Sequence, residues 1–283
     1  MNYLFLRFPK FKEKAVTLSY DDCVFADRKL IKIMTENGLK GTFNINSGLF
    51  GETIGDRHLT AEEVKALYLP SGNEVAVHGL KHASLPEFDS ARQINEIFSD
   101  RKNLEKLLGT PIRGMAYANH VEYSSEVIDV MKKCGILYAR TIHCSENFNM
   151  PNDWYKIQPT CSDLSPNALE LADKFVKSSM PIYYWDRGPK LFYLYGHSRF
   201  TDERHAWDKF EQLAGVLGNR NDIWYATNME IYEYVRAYNR LEFGVNGDFV
   251  YNPSAIDVYL DYYESQYIVP AGKTTQLKVV DYP

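Results

Sequence analysis

From Lys14 to Tyr238 the chain alternates short apolar runs of strand length with amphipathic stretches of helical period, and this alternation limits the architecture more than any other feature. Lys14–Tyr20 reads as a strand. Ala26–Asn37 follows as a helix with Leu30, Ile31, Ile33 and Met34 on one face and Gly38 as its stop. Lys40–Asn46 alternates like a strand, and Thr60-Ala61-Glu62-Glu63 is a capping box that opens a helix toward Leu69. Glu74–Val77 is the third strand. Asp89 then caps a long helix carrying Ile94, Ile97, Leu104 and Leu107, which stops at Gly109-Thr110-Pro111. Ile112–Tyr117, a helix from Ser124 or Ser125 to Gly135, and Ile136–Thr141 repeat the pattern. The segment Ile142–Thr160 has no period and is expected to be a binding or lid loop.

Beyond it, Ser165-Pro166 starts a helix over Asn167–Lys177. Leu191–Tyr195 and Ile223–Ala226 are further strands, followed by helices over His205–Leu217 and Met229–Tyr238. Repeats of about 30 to 40 residues predict a parallel α/β fold, and about seven of them favour a barrel over an open sheet. No Gly-x-Gly-x-x-Gly follows the first strand, so the dinucleotide-binding alternative has no fingerprint. From Leu241 the pattern changes to short alternating runs with Asn-Gly, Asn-Pro and Ala-Gly breaks. We therefore expect a barrel over residues 1–240 and a small β appendage over 241–283. A length of 283 residues accommodates both.

The net charge of −5 offers no basic footprint for nucleic acid, and no stretch has the length or apolarity of a membrane span. The N-terminus lacks the pattern of a secretory signal, so a cytoplasmic location is expected. Cys23, Cys134, Cys144 and Cys161 have no Cys-x-x-Cys spacing and read as free thiols. Cys23, beside an acidic pair, is expected to face solvent. The 21 Tyr, 15 Phe and 4 Trp suit an aromatic core or a cleft that stacks on sugars.

The polar groups that could carry chemistry cluster at the ends of predicted strands, where barrel active sites are built. Asp21 and Asp22 end the first, His78 and His82 follow the third, Asn119 lies past the fourth, and His197 ends the strand Leu191–Tyr195. His78 and His82 have the spacing that turns two imidazoles the same way on a helical turn. With Asp22 they would make a 2-His-1-carboxylate set that leaves positions open for water and substrate. Zinc is the first choice, and cobalt, nickel, iron and manganese are admitted by the same ligand types.

Ser19-Tyr20-Asp21-Asp22, His78-x-x-x-His82 and Leu194-Tyr195-Gly196-His197, in this order, resemble the motifs of the polysaccharide deacetylases, metal-dependent carbohydrate esterases, over roughly Ala15 to Tyr238. The resemblance implies a distorted, incomplete (β/α)7-type barrel. It also implies that Asp21 is the general base, that Asp22, His78 and His82 bind a divalent metal, and that His197 is the general acid. Gly114-Met115-Ala116-Tyr117-Ala118-Asn119-His120 resembles the stretch that usually ends Pro-Tyr-Gly, which implies an oxyanion role for the Asn119 N–H, with Tyr117 beside it. Arg113 is the nearest match to the family's arginine. Departures are Cys23 for the usual Gly, Gly79 where Ser or Thr is common, and Ala118-Asn119-His120.

His143, Trp185 and Trp224 are further candidates for lining the cleft, while His58, His120 and His205 read as surface residues. The implied function is removal of acetyl groups from an N-acetylated or O-acetylated sugar or polysaccharide. The alternatives are hydrolysis of another non-peptide C–N bond and a catalytically silent carbohydrate-binding protein. Oligomeric state is not legible.

Overall fold

The computed structural model describes residues 3–119, 124–179, 187–263 and 265–278. Its main sheet is built from β1 (Lys14–Asp21), β2 (Gly41–Ile45), β3 (Glu74–Val77), β4 (Gly114–Ala116), β5 (Tyr138–Arg140), β6 (Cys161–Ser162), β7 (Lys190–Gly196) and β8 (Ile223–Tyr225). The spatial order is β5-β4-β3-β2-β1-β7-β6, with β8 also on β1, and every pairing is parallel. Helices separate consecutive strands in sequence, as parallel connections require, except between β5 and β6. No described ladder joins β5 to β6, so the sheet curls into an incomplete (β/α) barrel. The irregular segment after β5 covers that edge instead: Ala139 N–H donates to the Trp154 carbonyl at 2.7 Å and Thr141 N–H to Ile157 at 2.8 Å. The expected binding loop is thus largely a substitute barrel edge.

β1 is central and buried at all eight positions, which is why its sequence reads as a nearly continuous apolar run. β7 pairs along Lys14–Tyr20, while the other edge of β1 is shared: β8 takes Lys14–Val16 and β2 takes Leu18–Asp21. β8 therefore ends five residues short of Asp21. This splay decides which strand ends reach the site.

Most sequence-predicted helices are present, including Asp27–Glu36, Ala61–Tyr68 with both bonds of its capping box, Ser125–Lys133 and Ala168–Lys177. The helix expected from Asp89 to Leu107 is interrupted. Ser90–Ile94 runs into a π turn, Asn95–Ser99, before Asp100–Leu108 resumes. The wide turn brings Glu96 and Asp100 inward to accept backbone N–H groups of the His78–Lys81 loop, a local distortion of the kind found beside functional sites. A short helix, Ser198–Glu203, begins directly after His197 and had no clear sequence signal.

Past Asn239 two small antiparallel sheets enclose Val250, Leu260, Val269 and Leu277. One of them includes Leu4–Arg7, paired with Val258–Tyr262. Buried Arg7 pairs with Asp261 at 2.7 Å, and Tyr234 on the last barrel helix donates to the Arg7 carbonyl at 2.7 Å. The division into 1–240 and 241–283 is thus a proposed division of the chain, with its first strand contributed across it. No described helix is long and apolar enough to cross a membrane. All four cysteines are free thiols.

Candidate active site

Asp21 closes β1 and is 1% exposed. Arg140, itself fully buried at the end of β5, places Nη2 2.5 Å from both Asp21 oxygens. Asn44 donates to Asp21 Oδ1 at 2.8 Å. Burial alone would raise the Asp21 pKa, but the Arg140 guanidinium, with His78 and His197 beside it, holds the carboxyl well below the usual range. Oδ2 is the oxygen that faces His197, 3.6 Å from its Nε2.

Asp22 and Cys23 follow with φ of 81° and 59°, two consecutive left-handed residues with side chains. This conformation costs on the order of 1–2 kcal/mol per residue and explains why glycine serves well at the Cys23 position. The loop after β2 holds the turn in place. His58 Nδ1–H donates to the Asp22 carbonyl at 2.8 Å, and Leu59 N–H donates to Cys23 at 3.0 Å. His58 is 5% exposed, so the surface reading of it is wrong. Cys23 is also buried, its sulfur under the Tyr68 hydroxyl, and does not face solvent.

His78 and His82 are not on a helix. They flank a turn in which Gly79 has φ +85° and His82 φ +56°, and this reversal brings the imidazoles to 4.9 Å between centroids. Glycine at 79 is explained by that φ. Asn46 donates to the carbonyls of His78 and Gly79 at 2.8 and 2.6 Å, and Asp100 accepts from His78 N–H at 3.2 Å. His78 Nδ1 contacts the Ala116 carbonyl at 3.0 Å; since a carbonyl only accepts, Nδ1 carries the proton and Nε2 keeps its lone pair. That Nε2 is buried without a hydrogen-bond partner, 3.6 Å from Asp22 Oδ1, while His82 Nε2 is 3.5 Å from the same oxygen. Burial lowers the His78 pKa to about 4, so the ring is neutral at pH 7. One ligand atom from each of Asp22, His78 and His82 lies within 4.8 Å of the others. An orphaned, neutral, tautomer-fixed imidazole nitrogen beside a second imidazole and a carboxylate is the donor set that a divalent cation requires.

These groups form the floor of a cleft of about 560 Å³ at the C-terminal end of the sheet, also lined by Tyr117, Asn119, Tyr195, Phe200 and the surrounding loops. Residues 9–139 match the family model described as polysaccharide deacetylase. Over this stretch, a little under half of its length, the chain is similar to the polysaccharide deacetylases. The deacetylase match contains Asp21, Asp22, His78, His82 and Asn119, and ends one residue before Arg140. No curated protein sequence matches the chain.

Among solved structures, the chain is similar to a candidate polysaccharide deacetylase from Mycobacterium smegmatis, with 19% identity, TM-score 0.61, and coverage of 83% of this chain and 94% of that one. It is also similar to the Xyl-CE4 domain of a multidomain xylanase from the hindgut metagenome of Trinervitermes trinervoides, at 14% identity, TM-score 0.52, and coverage of 80% and 92%. These likenesses establish the deacetylase barrel as the fold. The Streptococcus pyogenes deacetylase PplD, solved with acetate, aligns at 18% identity and TM-score 0.44 over 50% of this chain, which spans 61% of that one.

Of the sequence-predicted residues, Asp21, Asp22, His78, His82, Tyr117, Asn119 and His197 line the cleft together. Tyr117 is buried and donates to the Tyr155 carbonyl at 3.3 Å; Asn119, at φ 64°, donates from its side chain to the His82 carbonyl at 3.2 Å. His143 and Trp224 are not in the cleft. His143 is exposed on the segment that runs along β5, and Trp224, on the foreshortened β8, packs against Phe8 and Tyr234. Trp185 and His120 lie outside the described residues.

Arg113 is exposed and far from its expected role, donating at 3.4 Å to Gly135. The guanidinium on Asp21 comes from Arg140, which is in register with Ala116 of β4 across the β4–β5 ladder. A charged residue inside the strand-like run Leu137-Tyr138-Ala139-Arg140-Thr141 was the available signal. Asn44, on β2, and Asn46, just past its end, also went unread; one braces Asp21 and the other the His78 turn. Asp163 was missed too. It is buried, accepts from Tyr20 at 3.0 Å and Thr201 at 2.9 Å, and interacts electrostatically with His197.

Proposed function

We propose that the chain is a metal-dependent hydrolase that removes an acetyl group from an acetylated sugar. The observation that carries this reading is the buried, unpartnered Nε2 of His78, converging with His82 on Asp22 beside an ionised Asp21 and His197. Asp22, His78 and His82 would hold the cation, zinc by ligand type. Such an ion supplies Lewis-acid polarisation of the acyl carbonyl and makes water acidic near neutral pH.

Asp21 accepts the proton of the attacking water at Oδ2, which faces His197 and accepts from Arg140 alone, whereas Oδ1 accepts from both Asn44 and Arg140. Its depressed pKa makes it a weak base that is always ionised, which suits a water molecule already acidified. His197, 3.6 Å away, donates to the departing amine or alkoxide. Its ring is held against Phe200 at 5.0 Å, and its carbonyl accepts Phe200 N–H at 2.9 Å, so the imidazole sits at the start of a fixed turn. The Asn119 N–H, at the cleft wall, is assigned to the oxyanion.

Metal analysis and an acetate-release screen over acetylated mono- and oligosaccharides test this. One divalent ion per chain is expected. Asp21→Asn should keep the ion and lose about 10²–10⁴ of the rate, as for removal of a general base. Stoichiometric metal absent from the protein, together with full activity of Asp21→Asn, refutes the mechanism. Release of a product other than acetate points to a different C–N bond.

A further inference from the structure

The mouth of the cleft carries a charge that runs against the chain's net −5. Apart from three carboxylates, Asp21, Asp22 and Asp163, and the four histidines, the charged residues lining it are cations: Lys81, Arg199 and Arg204. Neither Lys81 nor Arg204 forms an ion pair among the described residues. The Lys81 ammonium donates to the Gly48 carbonyl, and Arg199 Nε is 3.4 Å from Glu203, a loose pair. Below them, Arg140 already neutralises Asp21, Asp22 belongs to the ligand set, and Asp163 is buried and takes its hydrogen bonds from the Tyr20 and Thr201 hydroxyls. The surplus positive charge at the rim is therefore not consumed by the groups below it.

The cations are also positioned. The Arg199 guanidinium lies over the Phe200 ring at 4.7 Å from its centroid and packs on Gly55, where any side chain would displace it. Arg204 approaches the same ring at 5.8 Å. The His197 ring is 5.0 Å from that same Phe200 ring, centroid to centroid, so the proposed proton donor and both guanidinium groups are gathered around one aromatic side chain. Neutral acetylated sugar gives no reason for this arrangement.

We propose that the substrate is an acetylated sugar bearing a phosphate group, with Arg199, Arg204 and Lys81 binding the phosphate while the acetyl group meets Asp22, His78 and His82. This rests on the deacetylase reading. A phosphate is favoured over a carboxylate because a single arginine satisfies a carboxylate with two parallel bonds, whereas three cations, one from the His78–His82 loop and two from the short helix after His197 and its end, suit a dianion with more oxygens.

The test compares acetate release from N-acetylglucosamine, N-acetylglucosamine 1-phosphate, UDP-N-acetylglucosamine and N-acetylmuramic acid, for wild type and the Arg199→Gln/Arg204→Gln double variant. Wild type should prefer a phosphate-bearing substrate by about tenfold or more in kcat/KM, with the preference shrinking at high salt and in the double variant. The 1-phosphate and the UDP sugar separate a sugar phosphate from a nucleoside diphosphate as its source. Calorimetric titration of N-acetylglucosamine 1-phosphate into chelator-treated protein gives a readout free of catalysis. Tighter binding than N-acetylglucosamine, weakened about tenfold in the double variant, is expected there. Equal preference for the neutral sugar, or a preference for the carboxylate sugar, overturns the proposal and leaves deacetylation standing. No acetate from any substrate refutes deacetylation, and the binding arm then still decides whether the rim takes phosphate.

Discussion

Two buried carboxylates six residues apart in sequence, Asp21 on the cleft floor and Asp27 at the start of the helix that follows, have pKa values displaced in opposite directions. Both are essentially inaccessible to water. Asp27 accepts from Tyr68 at 2.6 Å and Ser198 at 2.5 Å, partners that carry no charge, and burial pushes its pKa up to about 7. Asp21 meets a guanidinium and stays ionised far into acid. Equal burial thus yields either a carboxylate that stays ionised far into acid or one that still titrates near neutral pH, and the deciding factor is whether a distant strand delivers a cation. Asp27 accepts from Ser198, the neighbour of His197. We read its role as fixing that turn.

The sharpest way to break this comparison is Arg140→Met. Asp21 then becomes a buried, uncompensated carboxylate, and about 3–5 kcal/mol of stability should be lost at pH 7. A group with a depressed folded-state pKa contributes its stability above the unfolded value, near 4, and loses it as pH falls through the folded value. The deficit of the variant should therefore narrow in urea unfolding at pH 4, while the acid limb of its acetate-release profile moves toward neutral. An equal deficit at both pH values would mean that Arg140 acts by packing alone.

Asp27→Asn should have a smaller effect of opposite sign. With the Asp27 pKa raised, the native state binds more protons than the unfolded chain between about pH 4 and 7, so wild-type stability falls as pH rises through that window. The asparagine variant lacks this slope. It should gain on the order of 2 kcal/mol relative to wild type on going from pH 5 to pH 8, read from denaturation midpoints. Parallel pH dependences for the two proteins would show that Asp27 is ionised in the fold.

Ser198→Ala is the mildest test. It removes a hydroxyl that favours the charged form of Asp27 and should cost about 1 kcal/mol. The pH-dependent loss of stability should extend to higher pH, since the folded-state pKa rises further. Unaltered pH dependence would separate Asp27 from the His197 turn.

Much of the fold was legible because it rests on local pattern. The capping box at Thr60, the apolar faces of Asp27–Glu36 and Ser125–Lys133, and the fully buried run of β1 each follow from spacing that nearby residues enforce. Asp21, Asp22, His78, His82 and His197 were legible for a related reason, since polar residues directly after apolar strands stand at strand ends. Arg140, Asn46 and Asp163 were not. Each braces a group more than 30 residues away, and no local period marks which strand end lies opposite which. Trp224 failed by the converse route: its strand has the right pattern, but β8 pairs only with the first three residues paired on β1 and stops short of the cleft.

By itself, then, the amino-acid sequence determined the order of strands and helices, the acidic pair, and the two imidazoles that could share a cation. Only the tertiary structure decided that Asp21 is paired by a guanidinium from β5, that His78 is left with an unpartnered nitrogen, and that Asp27 meets hydroxyls but no cation among the described residues. Propensity and periodicity act over a few residues, whereas the charge state of a buried group depends on what the folded chain places within a few ångströms of it.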